Sequence, residues 1–167
     1  MKLTAPLLCT LALSISPFTL AGAAGPLVID RVQFAENVEF KKAQSECALQ
    51  QRFATALDKH LRKQGFDPLE VDAAGATPAP RLSVVIESIW APGGGAWSGP
   101  KRVNISGELK NQGEVLGSFV GQRSSTGGVF GGFKGTCGIL ARDVEALSRD
   151  IARWIDKPTR DARLGER

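Results

Sequence analysis

Two segments of this chain carry a single apolar stripe each, and that restricts the fold more than any other feature of the sequence. In "SECALQQRFATALDKHLRKQGF", residues 45–66, Leu49, Phe53, Leu57 and Leu61 recur every four positions, with Ala56 and His60 beside them. That spacing places them on one face of an α-helix. Between about 138 and 156, Leu140, Val144, Leu147, Ile151 and Ile155 form a second stripe, while Arg142, Glu145, Arg149 and Arg153 decorate the other side. A helix with one apolar face can bury it against one layer only. Ser45 is predicted to cap the first helix, without the acidic partner of a capping box because Ala48 stands there. Gly65 is placed to end that helix, with Lys59, Arg62 and Lys63 suiting the negative end of its dipole.

The layer opposite must be a sheet, because the rest of the chain reads as strands. "PLVIDRVQF", residues 26–34, is rich in β-branched residues and predicts a first strand. "FDPLEV" predicts a short strand kept to an edge by Pro68. "RLSVVIESIWA", residues 81–91, has an apolar run long enough for a central strand, and 72–80 before it reads as a loop. "VNISGEL" and "EVLGSFVGQ" flank "KNQG" and predict a hairpin with Gly113 in its turn. Val103, Ile105, Gly107 and Leu109 alternate with Asn104, Ser106 and Glu108, so one face is expected buried and the other wet. The expected fold is α+β: a two-layer sandwich of a mostly antiparallel sheet, four or five strands, with both helices on one face.

The domain is expected to span 24–157. "MKLTAPLLCTLALSISPFTLAGAAG" opens with Lys2, continues as an uncharged apolar run and ends in Ala21-Gly22-Ala23. This is the anatomy of an export signal, so 1–23 are predicted to be removed. Pro6 and Pro17 interrupt the run, which is short of a membrane span. Leu7 and Leu8 precede Cys9 where a lipid-modified cysteine wants small residues, so Cys9 is expected to leave with the leader. Removing 23 of 167 residues leaves 144, and losing Lys2 takes the net charge from +4 to +3. That balance is too mild for a nucleic-acid footprint, and the pair Lys101-Arg102 does not make one. Residues 158–167, stopped off by Pro158 and charged, are expected to be a disordered tail.

Export leaves two cysteines, Cys47 and Cys137, in an oxidising compartment, and a disulfide is the simplest outcome. Cys137 ends "STGGVFGGFKGTCG", residues 125–138, with six glycines in fourteen residues. A glycine-rich turn before a helix suggests phosphate binding. A phosphate-binding Walker loop, however, needs G-x-x-x-x-G-K-[ST], and here Phe133 intervenes after Gly132 and Gly135 follows Lys134. No nucleotide is expected. The glycines are instead expected to turn the chain sharply enough to deliver Cys137 to Cys47. His60 is the sole histidine and there is no CxxC spacing, so neither metal nor other cofactor is expected. His60 lies between Leu57 and Leu61, where a role at the core margin outweighs a catalytic one. Asp143 and Glu145, two apart on a helix, point apart and cannot form an acid/base pair. No catalytic residue is assigned. The aromatics of the glycine-rich loops remain: Trp90 and Trp97 bracket "APGGGA", and Phe130 and Phe133 sit among glycines. They are candidate anchors for a partner; their alternative use is to cap the sheet edge.

The order of "LVIDRVQF", "LRKQGF", "LSVVIESI", "NQGEVLGSF" and "SSTGGVFGG" before a last helix resembles a family of exported bacterial proteins of unknown function, many of them lipoproteins. Their α/β domain is similar to the N-terminal domain of TolB and to a domain of the curli secretion lipoprotein CsgG. The resemblance implies binding of other envelope proteins rather than chemistry, and it carries no catalytic residue. The expected function is therefore a periplasmic or secreted protein-binding module in envelope assembly or maintenance. The alternative is an inhibitor of a secreted hydrolase that inserts "WAPGGGAW" into a cleft.

Overall fold

The computed structural model describes residues 25–36, 38, 46–70, 78–92, 99–126 and 135–165. Its elements run β1 (Pro26–Ile29), β2 (Gln33–Phe34), α1 (Leu49–Lys63), β3 (Asp67–Glu70), β4 (Arg81–Trp90), β5 (Lys101–Asn111), β6 (Glu114–Ser125), α2 (Thr136–Asp156) and β7 (Ala162–Gly165). They form one sheet in the order β3-β1-β4-β5-β6-β7, with β2 beside β1 along β4. The predicted leader 1–23 and the cap Ser45 lie outside the described residues.

The two-layer α+β architecture holds, with α1 and α2 packed together, but the sheet is mixed and has seven strands rather than four or five mostly antiparallel ones. β4, β5 and β6 pair antiparallel at the centre. β1 runs parallel to β3 and β4, β2 parallel to β4, and β7 parallel to β6. The antiparallel pairing of β5 with β6 follows from the hairpin turn between them, where Gln112 and Gly113 both take positive φ (49° and 87°). A two-residue turn of that hand matches the twist of the strands it joins. The parallel flanks arise because α1 carries the chain back across the sheet between β1 and β3, as parallel pairing requires.

The predicted strand 26–34 is broken. Leu27 and Ile29 face the core in its first half, whereas Val32 and Phe34 do so in its second. These sets have opposite parity, and an unbroken strand sends alternate residues to opposite faces. The interruption at Asp30 and Arg31 resets the parity, after which the chain rejoins the same edge of β4: the Asp30 amide donates to the Leu82 carbonyl (2.9 Å) and the Ala35 amide to that of Ile86 (3.0 Å).

The core matches the two stripes. Leu49, Phe53, Leu57 and Leu61 from α1, and Leu140, Val144, Leu147, Ile151 and Ile155 from α2, are buried against Leu82, Val84, Ile86, Val103, Ile105, Leu109 and Phe119 of the sheet. α1 ends as expected, with the Phe66 amide bonded to the Leu61 carbonyl and the Gly65 amide to that of Arg62. It begins later than expected, at Leu49, after Ala48 in the left-handed region (φ 45°).

The tail departs most from expectation. Pro158 does end α2, but residues 162–165, expected to be disordered, form β7. Trp154 Nε1 donates to the Thr159 carbonyl (3.2 Å), the Ser118 amide donates to the same carbonyl (3.1 Å), and Ala162 and Leu164 pack on the core. Alternating small and apolar positions hidden among charges supply the strand.

Candidate functional site

The two glycine-rich segments, 92–100 and 126–135, leave the sheet from the same end. β4 finishes at Trp90, opposite Arg102 near the start of β5, and Lys101 at that start pairs with Ser125 at the end of β6. Trp90 is 63% exposed and Val120 53%, the exposed large hydrophobic residues among the described ones. Trp97, Phe130 and Phe133, the other predicted anchors, lie outside the described residues. The structure thus places one of the four aromatics on the surface at the rim where both segments start.

Cys47 and Cys137 are joined by a disulfide, Cα atoms 5.0 Å apart, across a sequence separation of 90. Cys47 is buried, two residues before α1, and Cys137 lies in the first turn of α2. The bond fastens the approach to α1 to the start of α2 beside the exit of the second glycine-rich segment.

Two buried charges stand at the same end. Lys101 is 0% exposed and its Nζ donates to the Gly99 carbonyl (3.2 Å); burial pushes its pKa down. Asp143, 1% exposed, accepts a hydrogen bond from Ser125 Oγ. Sequence reasoning missed both, though a signal existed. Lys101 shares the parity of Val103, Ile105 and Leu109, and Asp143 falls within the Leu140–Leu147 stripe. Lys101 and Arg102 enter the sequence reading together only as a basic pair, but neighbouring strand residues face opposite ways, and the first of them points inward.

His60 sits at the core margin as expected. Its Nε2 and Lys59 Nζ both reach Glu145 Oε1, each at 2.9 Å, tying α1 to α2. A carboxylate oxygen can only accept, so His60 Nε2 carries the proton. The Lys59 ammonium, opposed by partial burial and helped by His60, holds the Glu145 carboxyl below its ordinary range. Asp143 and Glu145 point apart, one into the core and one to α1.

A trough of about 560 Å³ on the sheet face away from the helices is lined by Ser83, Val85, Ser106, Glu108, Val120 and Arg163 among others. Among the described residues no group of three or more histidine, cysteine or acidic side chains is arranged to hold a metal, and no helix is long and apolar enough to cross a membrane.

No family model and no curated protein sequence matches the chain. Solved structures do. A point variant of PelC from Paraburkholderia phytofirmans, solved as a dodecamer, superposes with a TM-score of 0.52 at 18% identity, over 76% of this chain and 89% of that one. An uncharacterised protein gives 0.53 at 13% identity, over 78% and 91%. A minor lipoprotein from Acinetobacter baumannii gives a weaker 0.47 at 12% identity, over 80% and 92%. The narrower similarity to TolB and CsgG stays a resemblance of layout. At these identities the likeness to PelC and to the uncharacterised protein is one of fold, the mixed-sheet α+β domain described above.

Proposed function

We propose that this chain is an exported, periplasmic protein-binding module without catalytic activity, working in assembly or maintenance of the cell envelope. The observation that carries the reading is Trp90: a tryptophan 63% exposed, on the rim from which both glycine-rich segments leave. Tryptophan is the side chain most enriched among the anchors of protein interfaces. The disulfide supports export, since such bonds persist in oxidising compartments. The engagement of His60 with Glu145 supports a binding role, because the sole histidine is spent on holding the helices together. PelC is solved as a dodecamer, so a second copy of this chain is the first partner to check. The test is affinity capture from envelope extract with the mature protein and its Trp90→Ala variant, alongside the mass of each in solution. A captured envelope protein, or self-assembly, that weakens by about 1–3 kcal/mol in the variant supports the proposal. Equal capture by both, or none with a monomeric protein, overturns it.

A further inference from the structure

Three polar side chains are buried among the described residues: Lys101, Asp143 and Ser148. Ser148 lies mid-helix and donates to the Val144 carbonyl (2.7 Å), an ordinary local bond. The other two are ionisable groups of opposite sign, and each lies next to Ser125 in the fold. Lys101 is its register partner across β5 and β6, and Asp143 accepts from its hydroxyl. Taking charges out of water is costly, and inward positions here are otherwise filled by residues such as Val103, Ile105, Leu140 and Leu147. The best-attested return for a buried polar group is that it fixes one arrangement among several that an apolar core would tolerate.

The arrangement fixed here can be read from the chain. Lys101 holds the carbonyl of Gly99, at the end of the first glycine-rich segment. Ser125 stands where the second segment begins, and Asp143 lies two turns into the helix that opens where it ends. We propose that Lys101, Ser125 and Asp143 form a polar latch at the stems of both glycine-rich segments: Lys101 holds residues 99–101, Ser125 and Asp143 fasten 124–126 to α2, and the β5–β6 pairing joins the two stems as one unit. The disulfide at Cys137 ties the first turn of the same helix to the approach of α1, so its first two turns carry both fastenings. The proposal concerns positioning and stands whether or not Trp90 meets a partner.

Hydrogen exchange on the full mature chain tests it. In Ser125→Ala and in Asp143→Asn, the amides of Gly99, Lys101 and Arg102 and of 124–126 and 135–138 are expected to exchange faster together, on the order of tenfold, while those of 53–61 in α1 keep their rates. A double variant, Lys101→Met with Asp143→Leu, separates positioning from stability. Replacing buried charges by apolar groups of similar volume is expected to keep or raise the unfolding midpoint, while the stems still exchange fast. Wild-type protection of the stems in the double variant overturns the latch. So does acceleration confined to one stem, or spread evenly through α1. Where a single variant fails to fold, the double variant decides alone.

Discussion

Breaking the disulfide should cost this domain a large share of its stability. The bond closes a loop of 90 residues, and the chain-entropy relation gives about 4–5 kcal/mol for a loop of that length. Cys47 is 1% exposed, so serine there would add a buried hydroxyl and inflate the loss. Alanine at both positions is the cleaner perturbation. For a domain of this size, each kcal/mol moves the melting temperature by about 2–4 °C, so the double variant should melt roughly 10–20 °C below the oxidised protein. Cys47→Ala and Cys137→Ala singly should lie within about 1 kcal/mol of the double, because either one opens the same loop. Calorimetry with and without reductant measures this, and thiol titration of the unreduced protein should find neither cysteine free. A double variant melting within about 3 °C of the oxidised protein would mean that the loop constrains little.

Deleting residues 158–167 should cost about 3 kcal/mol in urea unfolding, from the lost β6–β7 ladder and the acceptor of Trp154 Nε1; an unchanged midpoint would return the tail to a dispensable extension. Gly107→Ala should cost about 2–3 kcal/mol, because the new Cβ would stand 2.5 Å from the Ser83 carbonyl oxygen and 2.8 Å from Phe119 Cε1. Adding Phe119→Leu should restore little of it, as the backbone clash remains. Glu145 has a folded-state pKa below its ordinary 4.5, so its contribution is present above that value and lost as pH falls through the lower one. Glu145→Gln should therefore destabilise at pH 7 by no more than ~1 kcal/mol, its carboxylate being 41% exposed, and the two proteins should converge as the pH falls below the ordinary carboxylate range. Acid titration of both by circular dichroism checks the convergence.

What the sequence made legible was whatever repeats locally. The stripes from Leu49 to Leu61 and from Leu140 to Ile155 announce both helices, and the turn at Gly113 announces the hairpin. The disulfide follows from counting cysteines once the leader is set aside. Hidden were features that only long-range pairing creates. β1, β2, β3 and β7 are four residues or fewer, too short to show whether they pair parallel or antiparallel. β7 finds its partner more than forty residues away, at Phe119 to Gln122. At the candidate surface, Trp90 was legible as an aromatic beside glycines. Lys101 and Asp143 were not, because charge reads as surface unless parity is followed one residue further.

Site-specific photo-crosslinking in living cells tests whether Trp90 meets a partner in the envelope. A photoreactive phenylalanine analogue replaces Trp90 in one strain and Lys63, at the end of α1 and away from the rim, in another. A discrete product is expected from position 90 that contains an envelope protein or a second copy of this chain, recovered from the envelope fraction, and no such product from position 63. No product from position 90, or a product with a cytoplasmic protein, would contradict the proposed binding role.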